Sequence, residues 1–213
     1  AVFEMGAYTK GSIAKLCELT PPQHAIITAV GIMHLGRFGG KDEVLQAKSE
    51  LAAAIPDDGI LVCNGDDEGA RTIAERHLAR GRAEERILRY GFDDSHGDLA
   101  CRMSDVRFSV QGSHFVLHWK GESFSGFTPL HGRPALLNCM AAFTMGCVLG
   151  AQPEYLIAVL RNLEPVKNRL QVERYPNGYV QINDAYNSNP VGFASALEVL
   201  RDLPGNRKVL VTP

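Results

Sequence analysis

The sequence predicts an α/β protein with a mostly parallel central sheet flanked by helices and a smaller antiparallel β portion. Two observations carry that prediction. Between residues 25 and 90, short apolar runs (25–30, 60–63 and 86–90) alternate with stretches of helical periodicity, the pattern of strand–helix–strand crossovers in a parallel sheet. After Gly91 the pattern changes to short strands divided by Gln111-Gly112-Ser113 and Lys120-Gly121, as expected of antiparallel neighbours.

Taken in order, Ala1 to Met5 reads as a strand and Ser12 to Leu19 as a short helix, with Pro21-Pro22 punctuating before the strand at 25–30. Glycines at 31, 36, 39 and 40 then loosen the backbone around His34. Asp42 is a candidate N-cap for a helix to about Ile55, stopped by Pro56 and the Asp57-Asp58-Gly59 turn. Ile60 to Cys63 is a short apolar strand ending in Asn64-Gly65-Asp66-Asp67. Glu68 to Arg80 is a helix with Ile73, Ala74 and Leu78 inward, and Arg86 to Tyr90 a further strand. Short strands follow at 99–110, 114–119 and 122–127.

Arg133-Pro134 opens a helix over about 135–149 that is apolar nearly all round, and so expected to be deeply packed. A second helix runs from Pro153 to Asn162, and strands near 170–175 and 179–183 flank the turn Pro176-Asn177-Gly178 as a hairpin. After DAYNSNP (184–190) come a helix at 191–201 and a closing strand at 208–211. The domain boundary is expected near 183–190, separating 1–183 from 184–213.

The 213 residues are 45% hydrophobic and 22% charged, enough to bury a full core. Net charge is −2 and no basic stripe is interleaved with aromatics, which argues against a nucleic-acid binder. No apolar run approaches the length of a membrane span and no signal peptide opens the chain. The five cysteines form no CxxC pair and read as reduced core thiols of a cytoplasmic protein. AVFEMG begins inside an apolar strand and KVLVTP stops just after another, so the chain reads as a piece of a longer protein.

Several residues could carry chemistry. Lys48 falls within the apolar stripe of Val44, Leu45, Leu51, Ala52 and Ile55, where a lysine snorkels, pairs with an anion or is chemically altered. Glu4 and His34 each follow a strand, and in parallel sheets ligands gather outside the carboxyl ends of strands. Together they are a partial metal shell; separately, a solvated charge and a loop histidine. Asn138 lies in LLNCMAAF, as a satisfied core amide or one facing a heterocycle. In DAYNSNP, Asp184, Tyr186, Asn187 and Asn189 crowd before a helix start, where Asn189 is a natural cap before Pro190. Arg169, in KNRLQV, would ordinarily be a surface charge.

These strings also occur in a recognisable order. EMGAYTKGSIAKLCEL, ITAVGIMHLGRFGG, QAKSEL, HGRPALLNCMAA, NRLQV and INDAYNSNP together resemble the Mur ligase family. The likeness is greatest to the MurF-type branch, which joins D-alanyl-D-alanine to a UDP-N-acetylmuramoyl tripeptide, and DAYNSNP is its most discriminating piece. The resemblance implies a P-loop-type central ATPase domain followed by the start of a Rossmann-like C-terminal domain. It implies that Glu4 and His34 are magnesium ligands, and that Lys48 is carbamylated by carbon dioxide so that its new carboxylate helps hold the second Mg²⁺. By the same resemblance Asn138 lies on the adenine side of ATP, Arg169 near the phosphates and Asp184 near the ribose, with Asn187 and Asn189 also contacting nucleotide.

Two features depart from the family. Pro134-Ala135 stands where a His-Asn pair is common, and no Gly-rich loop ending in Gly-Lys-Ser/Thr occurs in the 213 residues. In the family that loop precedes the strand carrying Glu4. The implied activity is ADP-forming ligation of peptidoglycan precursors through an acyl phosphate, in the intact parent and not in this piece alone. The implied substrates are a UDP-muramoyl peptide and D-alanyl-D-alanine. The rivals are a ligase for another amine, including the folylpolyglutamate type, and a non-catalytic module that kept the fold.

Overall fold

The structure, a computed structural model, describes residues 1–31, 40–186 and 189–212, with the backbone alone at Lys41. Its elements in chain order are α1 (Ser12–Leu19), β1 (Ala25–Ile27), α2 (Lys41–Ala54), β2 (Leu61–Asn64), α3 (Glu68–Leu78), a 3₁₀ turn (Glu84–Arg86), β3 (Ile87–Gly91), β4 (Cys101–Ser109), β5 (Gly112–Trp119), β6 (Glu122–Thr128), α4 (Arg133–Val148), α5 (Pro153–Leu160), β7 (Gln171–Arg174), β8 (Val180–Asn183) and α6 (Pro190–Asp202). Strands β1 to β6 form one sheet in chain order, and β7–β8 a separate two-stranded sheet. The α/β class with a mainly parallel sheet and a smaller antiparallel portion is therefore what the chain adopts.

Two compact units divide between Arg102 and Met103. In the first, β1, β2 and β3 run parallel, with Ala25 opposite Leu61 and Leu61 opposite Ile87. The start of β4 joins them, Tyr90 facing Cys101. β2 is central and buried along its whole length, which explains its unbroken apolar run LVC. α2 and α3 cover this sheet with Val44, Leu45, Ala47, Ile73 and Ala74.

The start of α1 is held from another helix. Gly11 precedes it without a side-chain cap, and the Glu50 carboxylate of α2 accepts from the Gly11 amide at 2.6 Å and the Ala14 amide at 3.0 Å. A carboxylate on free amides at a helix start is favourable both as a hydrogen-bond acceptor and against the helix dipole. Replacing Glu50 by alanine is expected to cost about 1–2 kcal/mol, read as a lower denaturation midpoint.

In the second unit β5 and β6 form an antiparallel hairpin from Ser113–Thr128 to Trp119–Glu122. Its two-residue turn, Lys120 at φ 49° and Gly121 at φ 85°, needs left-handed backbone at both positions, so glycine at the second removes half of the strain. Phe143 of α4 packs edge-on against Trp119, ring centroids 6.0 Å apart. The β7–β8 hairpin turns at Pro176-Asn177-Gly178, and Val172, Val180 and Ile182 pack with Val199 of α6 and Leu203 just beyond it.

His131, just ahead of α4, is only 4% exposed. Its Nε2 lies 2.7 Å from the Ser109 carbonyl, and Nδ1 has no partner among the described residues. Burial pushes its pKa below the ordinary value, opposed in part by the hydrogen bond to that carbonyl. A depressed folded pKa means the folded state takes up its proton later than the unfolded one. This contribution is whole above about pH 6.5, the unfolded value, and is lost as pH falls through the folded pKa. The melting temperature is expected to drop from pH 7.5 to 5, with a shallower drop in His131→Gln, which keeps a donor for Ser109 but does not titrate.

The strands expected at Ala1–Met5 and 208–211 are not formed. Val2 and Phe3 are 95% and 61% exposed and Val211 88%, and both segments lack a ladder. An apolar run becomes a strand only when a neighbour takes its backbone hydrogen bonds, and neither segment has one among the described residues.

Candidate functional site

The carboxyl ends of β1, β2 and β3 are tied together by side chains from one short string, Asn64-Gly65-Asp66-Asp67. Asn64, 4% exposed, donates from Nδ2 to the Thr28 carbonyl at 2.9 Å while its Oδ1 accepts from the Asp66 amide at 3.0 Å. Asp66 reaches the end of β3, accepting from the amides of Phe92 at 2.9 Å and Asp93 at 3.2 Å. Asp67 caps α3 by accepting from Ala70 N at 2.8 Å, and the same Oδ1 accepts from Val30 N at 3.0 Å.

Lys48 enters this cluster from α2. Its neighbours Val44, Leu45, Ala47 and Ala52 are buried and Lys48 itself is half-buried. Its Nζ donates to the Ala29 carbonyl. Burial lowers the amine's pKa, and the nearby Asp67 carboxylate works the other way. The lysine on the inner face of its helix is thus held at a strand end, and its ammonium is compensated by a carbonyl and by Asp67.

Glu4 is exposed and does not end a strand, because the strand expected there is absent. Its proposed partner His34 lies outside the described residues. Among the described residues no group of three or more His, Cys, Asp or Glu side chains could hold a metal ion. The donor chemistry nonetheless fits a hard cation, since Mg²⁺ takes oxygen ligands with several waters and needs only one or two carboxylates from the protein.

The residues assigned to nucleotide belong to the second unit. Asn138 is exposed on α4, contrary to its expected burial, and its amide makes no hydrogen bond among the described residues. The near-continuous apolar composition of that helix concealed which face is open. Arg169 is exposed, with its guanidinium 4.5 Å from the ring centroid of Tyr186. Asp184 accepts from the Leu170 amide at 3.1 Å, and the Tyr186 amide donates to the Asn168 carbonyl at 3.1 Å. The strings NRL and DAY are therefore laced into one corner holding Arg169, Asp184 and Tyr186 together. Asn189 caps α6 by accepting from Gly192 N at 2.9 Å, which occupies its Oδ1 and leaves its Nδ2 free of that role. Asn187 lies outside the described residues.

In the sequence, Asn64, Asp66 and Asp67 stand out only as the end of a strand. The available signal was an amide and two carboxylates directly after a fully apolar strand, at the edge where parallel sheets gather polar function.

Comparison with known proteins identifies the family of the chain. The chain is 32% identical over 212 residues to the UDP-N-acetylmuramoyl-tripeptide--D-alanyl-D-alanine ligase of Bacillus subtilis, covering 99% of this chain and 43% of the relative. MurF from Acinetobacter baumannii superposes with a TM-score of 0.80 at 27% identity, over 95% of this chain and 42% of that one. The MurF ligase of Thermotoga maritima in complex with ADP gives 0.79 at 25% identity, over 95% and 44%. The chain thus spans less than half the length of the relatives it matches. A family model for the Mur ligase middle domain matches residues 1–146. This chain belongs to the Mur ligase family.

Proposed function

We propose that the chain is the middle portion of an ATP-dependent, ADP-forming ligase that joins D-alanyl-D-alanine to a UDP-N-acetylmuramoyl tripeptide in cytoplasmic peptidoglycan synthesis. The observation that carries this reading is its likeness, along nearly its whole length, to ligases of that name. Residues 1–183 then form the central domain and 184–213 open the next. Among the described residues no helix is long and apolar enough to cross a membrane.

In this reading the tripeptide carboxylate attacks the γ-phosphate of ATP, forming an acyl phosphate and ADP. The amine of the dipeptide then attacks the acyl carbon, the amide bond forms and phosphate leaves. The protein's part is positioning and neutralisation of charge. Asn138 presents an open amide to the adenine, Arg169 places its guanidinium at the phosphates and Asp184 lies by the ribose. The last of these has one carboxylate oxygen occupied by Leu170 N. Glu4, His34 and carbamylated Lys48 would hold Mg²⁺, which when bound offsets the anionic oxygens around the transferring phosphoryl group.

The lysine amine attacks carbon dioxide only when neutral, so a pKa lowered by burial favours the carbamate. The carbamate nitrogen keeps one N–H, which can continue to donate to the Ala29 carbonyl while the new carboxylate extends past it. In this reading the Ala29 carbonyl is the acceptor for both forms of the side chain.

Amine-dependent phosphate release by the full-length protein tests the reading. Release with UDP-muramoyl tripeptide and D-alanyl-D-alanine, and not with glutamate and a folate, is the expected result; the reverse would select the folylpolyglutamate-type activity. The 213 residues hold no Gly-Lys-Ser/Thr phosphate loop, whose amides and lysine would supply most of the grip on the triphosphate. The purified chain by itself is accordingly expected to release no more phosphate from Mg²⁺-ATP than its Glu4→Ala variant.

A further inference from the structure

Three successive residues leaving β1 are each fastened by a side chain from a different place. The Thr28 carbonyl accepts from Asn64, the Ala29 carbonyl from Lys48, and the Val30 amide donates to Asp67. Val30 is also pressed against α3, since a Cβ on Gly69 would come within 2.3 Å of its own Cβ. Asp67 stands at the junction of these contacts: one oxygen serves the first turn of α3 and Val30 at once. A cap needs only the first of those bonds. The second reaches across to another strand and fixes the peptide that follows Ala29.

We infer that Asp67 is a positioning residue for the lysine: by anchoring the Val30 amide it sets the Ala29 carbonyl where that carbonyl holds the Lys48 amine. The inference rests on the proposed role of Lys48 for its catalytic consequence, though not for its geometry. Asp67 itself touches no reacting atom. Its effect passes through one peptide unit, Ala29–Val30, whose carbonyl and amide point to Lys48 and Asp67 respectively. Asn64 supports the arrangement one residue earlier.

Two substitutions separate this role from ordinary helix capping. Asp67→Asn keeps an oxygen of the same reach for both amides and removes the charge. Asp67→Ser remains a good N-cap for α3, but its shorter side chain cannot also span to Val30. Amide exchange at Val30, measured on the chain, is expected to match the original in Asp67→Asn and to be at least about 10-fold faster in Asp67→Ser, because a local bond is lost. Exchange at Ala70 should be similar in both variants. Crystal structures should show the Lys48–Ala29 bond kept in Asp67→Asn and broken in Asp67→Ser.

In the full-length protein kcat for ligation is expected to fall about 10- to 100-fold in Asp67→Ser, as misplacement of a catalytic group by a fraction of an ångström would cause. KM for ATP should be unchanged, and Asp67→Asn should remain within about 3-fold of the original enzyme, a small change on the scale of such misplacements. Unaltered Val30 exchange or an intact Lys48–Ala29 bond in Asp67→Ser would overturn the inference. So would equal losses of kcat in both variants, which would make charge rather than position the essential property. If the unsubstituted full-length protein ligates no amine, the proposed function fails, while the exchange and crystallographic results still decide whether Asp67 positions the lysine.

Discussion

In the full-length protein, Lys48→Ala and Lys48→Arg are both expected to reduce ligation by at least about 100-fold, the loss typical when a preorganised charge-stabilising group is removed. Their melting temperatures should stay close to the original, because Lys48 is half-buried and its packing neighbours remain. Alanine removes the amine. Arginine is the more informative substitution, since it retains length and positive charge and can donate to the Ala29 carbonyl. A guanidinium nevertheless stays charged at any working pH and forms no stable carbamate. If Lys48 served only as a cation, arginine would preserve much of the rate. If the side chain only filled space along α2, alanine would be tolerated as well.

Gly69→Ala is expected to destabilise the fold by about 1–3 kcal/mol, the range for overpacking a filled site. Helix propensity alone predicts the opposite sign, a gain of about 1 kcal/mol for alanine over glycine inside a helix. The contact outweighs it because the added Cβ would stand 2.3 Å from Val30 Cβ and 2.8 Å from its Cγ2. Valine is stiff at χ1, so it cannot swing a single methyl aside. Either α3 withdraws from β1 or Val30 moves, and the second movement disturbs the Ala29 carbonyl. Denaturant unfolding of Gly69→Ala, Val30→Ala and the double variant measures the clash. The double variant should be more stable than the sum of the single changes predicts, by the coupling expected of residues in direct contact. Additive effects would mean that the close approach is absent.

Much of this molecule is legible from local pattern. The helix at Ser12–Leu19 has the bounds its sequence predicts, and Lys120-Gly121 and Pro176-Asn177-Gly178 turn the chain where their residues suggest. Such features depend on a few adjacent side chains. The segments at Ala1–Met5 and 208–211 show the opposite case: their apolar residues suit a strand, but pairing depends on a neighbour that local sequence does not specify.

The site divides in the same way. Lys48 was identified because helical periodicity places it among Val44, Leu45, Leu51 and Ala52, and a buried amine calls for compensation. Which atoms compensate it could not be read, because Ala29 and Asp67 come from other parts of the chain and meet it only in the fold. The string Asn64-Gly65-Asp66-Asp67 looks like a turn and is one, yet its side chains also join three strand ends. Asn138 was expected to be buried because α4 is apolar nearly all round, and periodicity loses its power to identify the open face when few polar residues mark it. The corner formed by Arg169, Asp184 and Tyr186 required the family resemblance to suggest it, since fifteen positions separate Arg169 from Asp184.

The carbamate proposed for Lys48 is directly observable by ¹³C NMR of the full-length protein in ¹³C-bicarbonate. With Mg²⁺ and nucleotide present, a carbamate resonance is expected that is absent from Lys48→Arg and that declines together with ligation when bicarbonate is removed. Full ligation by the original protein with no such resonance would contradict it.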